Sequence, residues 1–213
     1  MIVLGLTGSI GMGKSNAAAT LRRLGVPVFD ADAEVHRLQG PGGALVAAIE
    51  DLFPGTTGAQ GVDRVLLGRA ALADAAALGR LERLVHPAVG VARQRFLRRY
   101  RSRPVVVLDI PLLFEKGGWR TVDATVVVSA PAWMQRRRVL ARPGMTPARF
   151  TRIRALQMPD REKRRRADFV ISTAGEKRAT QARLRWLIAC LSAHGVRYCR
   201  RCARSSSTRK PPG

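Results

Sequence analysis

Short apolar runs alternate along this chain with longer stretches whose apolar positions recur every three or four residues. Ile2-Val3-Leu4-Gly5-Leu6-Thr7 opens the series. Val26-Pro27-Val28-Phe29, Pro104-Val105-Val106-Val107-Leu108, Thr121 to Ser129 and Phe169-Val170-Ile171-Ser172 follow. Continuous runs rich in β-branched residues predict strands buried on both faces, as in a parallel sheet. Helical spacing fills the intervals: Ala17 to Leu24 ended by Gly25, Asp32 to Leu38, Ala44 to Phe53, Arg64 to Ala73, and Ala76 to Tyr100. His86-Pro87 predicts a kink or a split in the last of these. Further helices are expected from Pro131, from Ala148 to Arg166 with a break at Pro159, and from Lys177 to Ala193. Residues 54–63 read as a loop. Beyond Arg197 no core pattern remains, and a disordered tail is expected.

Strands alternating with helices predict an α/β domain whose five parallel strands are joined by right-handed crossovers. Ligands of such sheets bind outside the carboxyl ends of the strands. Gly8, Asp30, Asp32 and Asp109 all follow or close predicted strands. The helical block 36–103 interrupts the alternation and predicts an inserted substrate lobe.

The 213 residues are 46% hydrophobic, which suits an ordinary globular protein. No apolar run approaches the roughly 18 residues of a membrane span. The amino terminus lacks a basic n-region, so a cytoplasmic protein is expected. A net charge of +23 raises the possibility of a nucleic-acid partner. Aromatic residues are only 5%, however, and the arginines do not interleave with them. A groove for single strands needs both, so an anionic small-molecule substrate is the better reading, with no nucleic acid and no membrane. The three cysteines, all beyond residue 189, form no disulfide framework, and Cys199-x-x-Cys202 lacks a second pair for zinc.

The sharpest chemical signal is Gly8-Ser-Ile-Gly-Met-Gly-Lys-Ser15, a full G-x-x-x-x-G-K-S string between a strand and a helix. Glycines 8, 11 and 13 let backbone N–H groups turn toward a polyphosphate. The helix that follows adds its positive N-terminal end. Lys14 is expected on the β/γ-phosphates and Ser15 on a magnesium ion. The string therefore implies a nucleoside triphosphate. Asp32 is a candidate general base, with Asp30 the better helix cap. Asp109 closes its strand where a carboxylate orders magnesium. Arg138 and Arg142 are candidates for contact with the transferring phosphate. His86 reads either as a substrate contact or as a buried structural hydrogen bond.

Together these strings resemble the dephospho-CoA kinase family. The resemblance is carried by Gly5 to Ser15, Leu24 to Asp32, Leu84-Val85-His86-Pro87, Asp109-Ile-Pro-Leu-Leu-Phe-Glu115, Gln157-Met-Pro159 leading to Lys163, and Ala167 to Ile171. It covers about residues 1 to 192. It implies a three-layer P-loop NTPase fold, with a core (1–35, 104–137, 166–193), a helical acceptor domain (36–103), a lid (138–165) and a basic tail (194–213). It also implies ATP-dependent phosphorylation of the ribose 3′-hydroxyl of dephospho-CoA, by a monomer or small homo-oligomer. By carry-over, Gly11, Met12, Gly13, Lys14, Ser15 and Asn16 hold ATP, and Asp32, His86 and Leu113 meet the acceptor. The alternative is a related kinase for a nucleoside, nucleotide or shikimate-like hydroxyl.

Overall fold

The computed structural model describes residues 1–72 and 74–206, and the chain divides into two compact units. One joins residues 1–29 to those from 100 onward; the other is 30–99. In order come β1 (Ile2–Thr7), α1 (Lys14–Arg23), β2 (Val28–Asp30), α2 (Ala31–Gln39), α3 (Val46–Leu52), β3 (Thr57–Gly58), β4 (Gly61–Val62), α4 (Arg64–Ala71) and α5 (Ala75–Arg99). Then follow β5 (Val105–Asp109), a 3-10 turn (Gly118–Thr121), β6 (Ala124–Ser129), α6 (Ala132–Leu140), α7 (Pro147–Ala155), α8 (Asp160–Arg166), β7 (Phe169–Ser172) and α9 (Lys177–Ser206).

Five strands form the predicted parallel sheet, in the order β2-β5-β1-β6-β7. The chain moves out to β2, returns beside β1 as β5, then crosses to β6 and β7, so the order reverses at β1. Leu6 lies opposite Asp109, Thr7 opposite Val127 and Ser129 opposite Ser172, which aligns the carboxyl ends of these strands. Every residue of β5 and β6 is buried, as their unbroken apolar runs require. On one face Ala17, Ala18 and Leu21 of α1 join Leu184, Leu187 and Leu191 of α9 and Phe169 and Ile171 of β7 in a single apolar cluster. Each such leucine stabilises the fold by about 1.5–3 kcal/mol relative to exposure.

The second unit has its own core, built on Leu38, Ile49, Phe53, Leu67 and Ala77. The expected 54–63 loop contains the two-stranded hairpin β3–β4. Glu50 organises it by accepting from Gly55 N–H at 2.7 Å and from Thr57 Oγ1 at 2.7 Å.

Three expectations are corrected. First, of the kink or split expected at Pro87 the split does not occur, and α5 continues as one helix from Ala75 to Arg99. Arg83 and Pro87 are both exposed, so water can take the carbonyl that the missing N–H leaves free. Second, β6 begins at Ala124, because Gly117 (φ 71°) starts a 3-10 turn and Asp123 is occupied in accepting from Val3 N–H at 2.7 Å. Third, the chain from Arg197 to Ser206 is helical, after a non-helical residue at Gly195 (φ 74°). Cys199 is fully buried in the core cluster and joined to Cys190 as a disulfide, a pairing that the sequence reading did not anticipate. The Cys202 side chain and residues 207–213 of the expected tail lie outside what the structure describes.

Candidate active site

The loop from Gly8 to Gly13 joins β1 to α1 at the carboxyl edge of the sheet. Gly11 (φ 77°) and Gly13 (φ 88°) occupy the left-handed region, which any side chain would strain. The loop also lies too close to its neighbours for larger residues. A Cβ on Gly8 would stand 2.6 Å from Val128 Cγ2, and one on Gly11 2.5 Å from Val139 Cγ2. Met12 anchors the loop from below, where its Sδ accepts from Ala130 N–H at 3.1 Å and its carbonyl accepts from the Thr173 hydroxyl at 2.9 Å.

Among the described residues, the amides of Gly11, Gly13, Lys14, Ser15 and Asn16 have no intrachain acceptor. The first turn of α1 contains no acidic residue and has no side-chain cap. A row of unpaired N–H groups at the positive end of a helix is an anion nest. Lys14 Nζ lies 2.7 Å from Asp109 Oδ1 in an ion pair whose carboxylate is almost wholly buried. The nest, the adjacent ammonium group and the glycine cradle fit a polyphosphate. For magnesium, no cluster of three or more His, Cys, Asp or Glu residues exists among the described residues. Magnesium commonly takes only one or two protein oxygens beside substrate phosphates, and the exposed Ser15 hydroxyl and Asp109 suit that pattern.

Arg138 is drawn to the same loop. It donates to the Thr173 carbonyl at 2.7 Å and hydroxyl at 3.1 Å, and Thr173 is also the residue nearest Gly13. Arg142 is exposed at the start of the turn after α6. Leu113, expected to meet substrate, is instead a core residue. It is fully buried, and its Cδ2 fills the space above Gly5, where a Cβ would come within 2.8 Å.

In the second unit, Asp30 caps α2 by accepting from Ala33 N–H at 3.0 Å, leaving Asp32 exposed in the first turn with its carboxylate uncommitted to capping. His86 is exposed on α5, so the buried-hydrogen-bond reading does not apply.

Sequence reasoning missed several polar residues beside the loop. Gln135 Nε2 donates to Ile10 O at 2.8 Å, and Gln157 Oε1 accepts from Ile10 N–H at 3.0 Å. Glu115 Oε1 accepts from Met158 N–H at 2.8 Å and lies 2.9 Å from Lys163 Nζ, an ion pair whose angle falls short of a hydrogen bond. Ser129 donates to Asp160 Oδ2 at 2.7 Å. The string from Gln157 to Lys163 was visible in the sequence, but nothing in it marked Lys163 as fully buried amid exposed arginines.

The dephospho-CoA kinase family profile matches residues 2–178. The chain belongs to the dephospho-CoA kinase family. A curated dephospho-CoA kinase from Novosphingobium aromaticivorans is 62% identical over 171 residues, 80% of this chain and 85% of that protein. One from Zymomonas mobilis is 48% identical over 197 residues, 92% of this chain and all of that protein. A crystal structure from Thermus thermophilus superposes with a TM-score of 0.76 at 38% identity, covering 89% of this chain and 97% of that one. The family profile thus spans the nucleotide loop, the Lys14–Asp109 pair, the whole second unit and the Gln157–Lys163 segment. None of the described helices is long and apolar enough to cross a membrane.

Proposed function

We propose that this chain transfers the γ-phosphoryl group of ATP to the ribose 3′-hydroxyl of dephospho-CoA, releasing ADP and coenzyme A. The observation that carries the reading is the nest of unpaired amides at Gly11, Gly13, Lys14, Ser15 and Asn16, with the Lys14 ammonium beside it, in a chain of this family. Phosphoryl transfer asks for alignment and charge neutralisation rather than covalent help from the protein. The loop amides and Lys14 bind and orient the phosphates. Ser15 and Asp109 would hold magnesium, which when bound neutralises phosphate charge. Arg138 and Arg142 supply further positive charge, with residues 138–165 acting as a lid that excludes water.

Asp32 takes the proton from the acceptor hydroxyl as its oxygen attacks the γ-phosphorus. Its exposure and freedom from capping suit that role. The helical block 36–103, with the exposed His86, receives the acceptor, and the reaction belongs to the cytoplasm. Nucleotide consumption measured with magnesium against dephospho-CoA, adenosine, AMP and shikimate tests the assignment. Turnover is expected on dephospho-CoA; turnover on another acceptor and none on dephospho-CoA would overturn it.

A further inference from the structure

Ile10 is the one residue of the nucleotide loop whose amide and carbonyl are both held by side chains from later in the chain. Gln157 takes its N–H and Gln135 its carbonyl. Ile10 immediately precedes Gly11, where the series of unpaired amides begins. Two opposed hydrogen bonds at one residue restrict the rotation of its flanking peptides. They therefore set the direction in which the next amides point.

Gln157 is itself held in place. It lies between α7 and α8, next to Met158, whose N–H is fixed by Glu115 Oε1. The same carboxylate oxygen lies 2.9 Å from the fully buried Lys163 ammonium, one helical turn further on. Asp160 ties the start of α8 to the end of β6 through Ser129. Burying an ammonium group against one carboxylate is costly, and such pairs are a poor source of stability. Here the pair fixes the register of residues 157–163, the anchored carboxyl-terminal end of the proposed lid, against the segment that follows β5.

We infer that Gln157, held by Glu115 and Lys163, is a positioning residue for nucleotide binding. With Gln135 it keeps the Ile10 peptide turned away from the nest, so that the amides from Gly11 onward face the phosphates. The inference rests on the reading of this loop as the ATP site. Gln157 borders a cavity of about 470 Å³, so a side chain of equal length fits there without overpacking.

The test is Gln157→Met, which keeps the length and removes the acceptor. Losing a hydrogen bond to an amide that sets the loop is expected to weaken ATP binding about tenfold. ATP affinity is read by calorimetry and by KM, with kcat, the KM for dephospho-CoA and the melting temperature close to parental. Exchange of the Ile10 amide with solvent should accelerate. Gln135→Met should reproduce the selective loss of ATP affinity, and Gln157→Asn, which keeps the carbonyl on a shorter arm, should fall between parent and Gln157→Met. Parental ATP affinity in Gln157→Met overturns the inference. So does a joint fall in ATP affinity, kcat and melting temperature with Ile10 exchange unchanged. Because calorimetry needs no acceptor, the result stands apart from whether dephospho-CoA is the substrate.

Discussion

Adding one methyl group at Gly11 tests the architecture of the nucleotide loop at its tightest point. With φ at +77°, alanine would occupy the left-handed region at a cost of about 1–2 kcal/mol. Its Cβ would also stand 2.5 Å from Val139 Cγ2 and 3.0 Å from the Gln135 carbonyl oxygen. Val139 is fully buried, so its methyl group cannot move aside into solvent, and overpacking of this kind costs about 1–3 kcal/mol. The sum, about 2–5 kcal/mol, is a large share of the 5–15 kcal/mol typical of a folded domain. For a chain of this size it lowers the melting temperature by roughly 5–15 °C. Differential scanning calorimetry measures that shift, and nucleotide titration of the folded fraction measures the loss of ATP affinity. Gly11→Ala combined with Val139→Ala removes the methyl clash but not the backbone strain, so a positive coupling between the two substitutions is expected. A Gly11→Ala protein that melts with the parent and binds ATP as tightly would refute the reasoning.

Asp32→Asn should lose most turnover yet titrate with ATP as the parent does; near-parental turnover would make Asp32 dispensable as a base. Lys163→Met strands Glu115 beside a buried apolar side chain and should destabilise the protein to urea by about 3–5 kcal/mol, whereas adding Glu115→Gln should recover much of the loss. A single variant as stable as the parent would show that the pair does not hold the turn. The Glu50 carboxyl is held below the ordinary glutamate range, first by the Gly55 N–H and then by the Thr57 hydroxyl. A depressed pKa contributes stability above the unfolded value, near 4.3, and that contribution disappears as pH falls through the lower folded value. The stability gap between parent and Glu50→Gln, measured by denaturant titration, should therefore narrow on acidification below about pH 4.3; a gap constant from pH 7 to 3 would contradict the hairpin role.

The parallel sheet was legible because β5 and β6 are continuous β-branched runs, a pattern suited to strands covered on both faces. The loop and its helix were legible because the glycines of the cradle are steric requirements, and a steric requirement leaves a residue type behind. Asp30 and Asp32 were told apart by position alone, since the residue before the first helical turn is the one able to cap it.

The polar residues behind the loop follow another logic. Gln135 and Gln157 sit in segments that read as solvated arginine-rich helix and turn, and only tertiary packing brings them to Ile10. Lys163 is one cation in the run Arg161 to Arg166, and nothing local shows that it alone points inward. Leu113 was assigned to substrate through a motif, yet its neighbour across the core is Gly5, over a hundred residues earlier. The carboxyl-terminal helix was hidden by its basic composition. Among its described side chains beyond Ala193, Val196 and Cys199 are the ones that pack on the core, too few positions to give a period.

The central claim is that the γ-phosphoryl group of ATP passes to the 3′-hydroxyl of dephospho-CoA, and isotope tracing tests it without reference to any single residue. With ATP labelled at the γ-phosphate, the enzyme, magnesium and dephospho-CoA, the label should appear in the 3′-phosphate of coenzyme A in proportion to the ADP formed. Label recovered only as inorganic phosphate, with dephospho-CoA unchanged, would contradict the account.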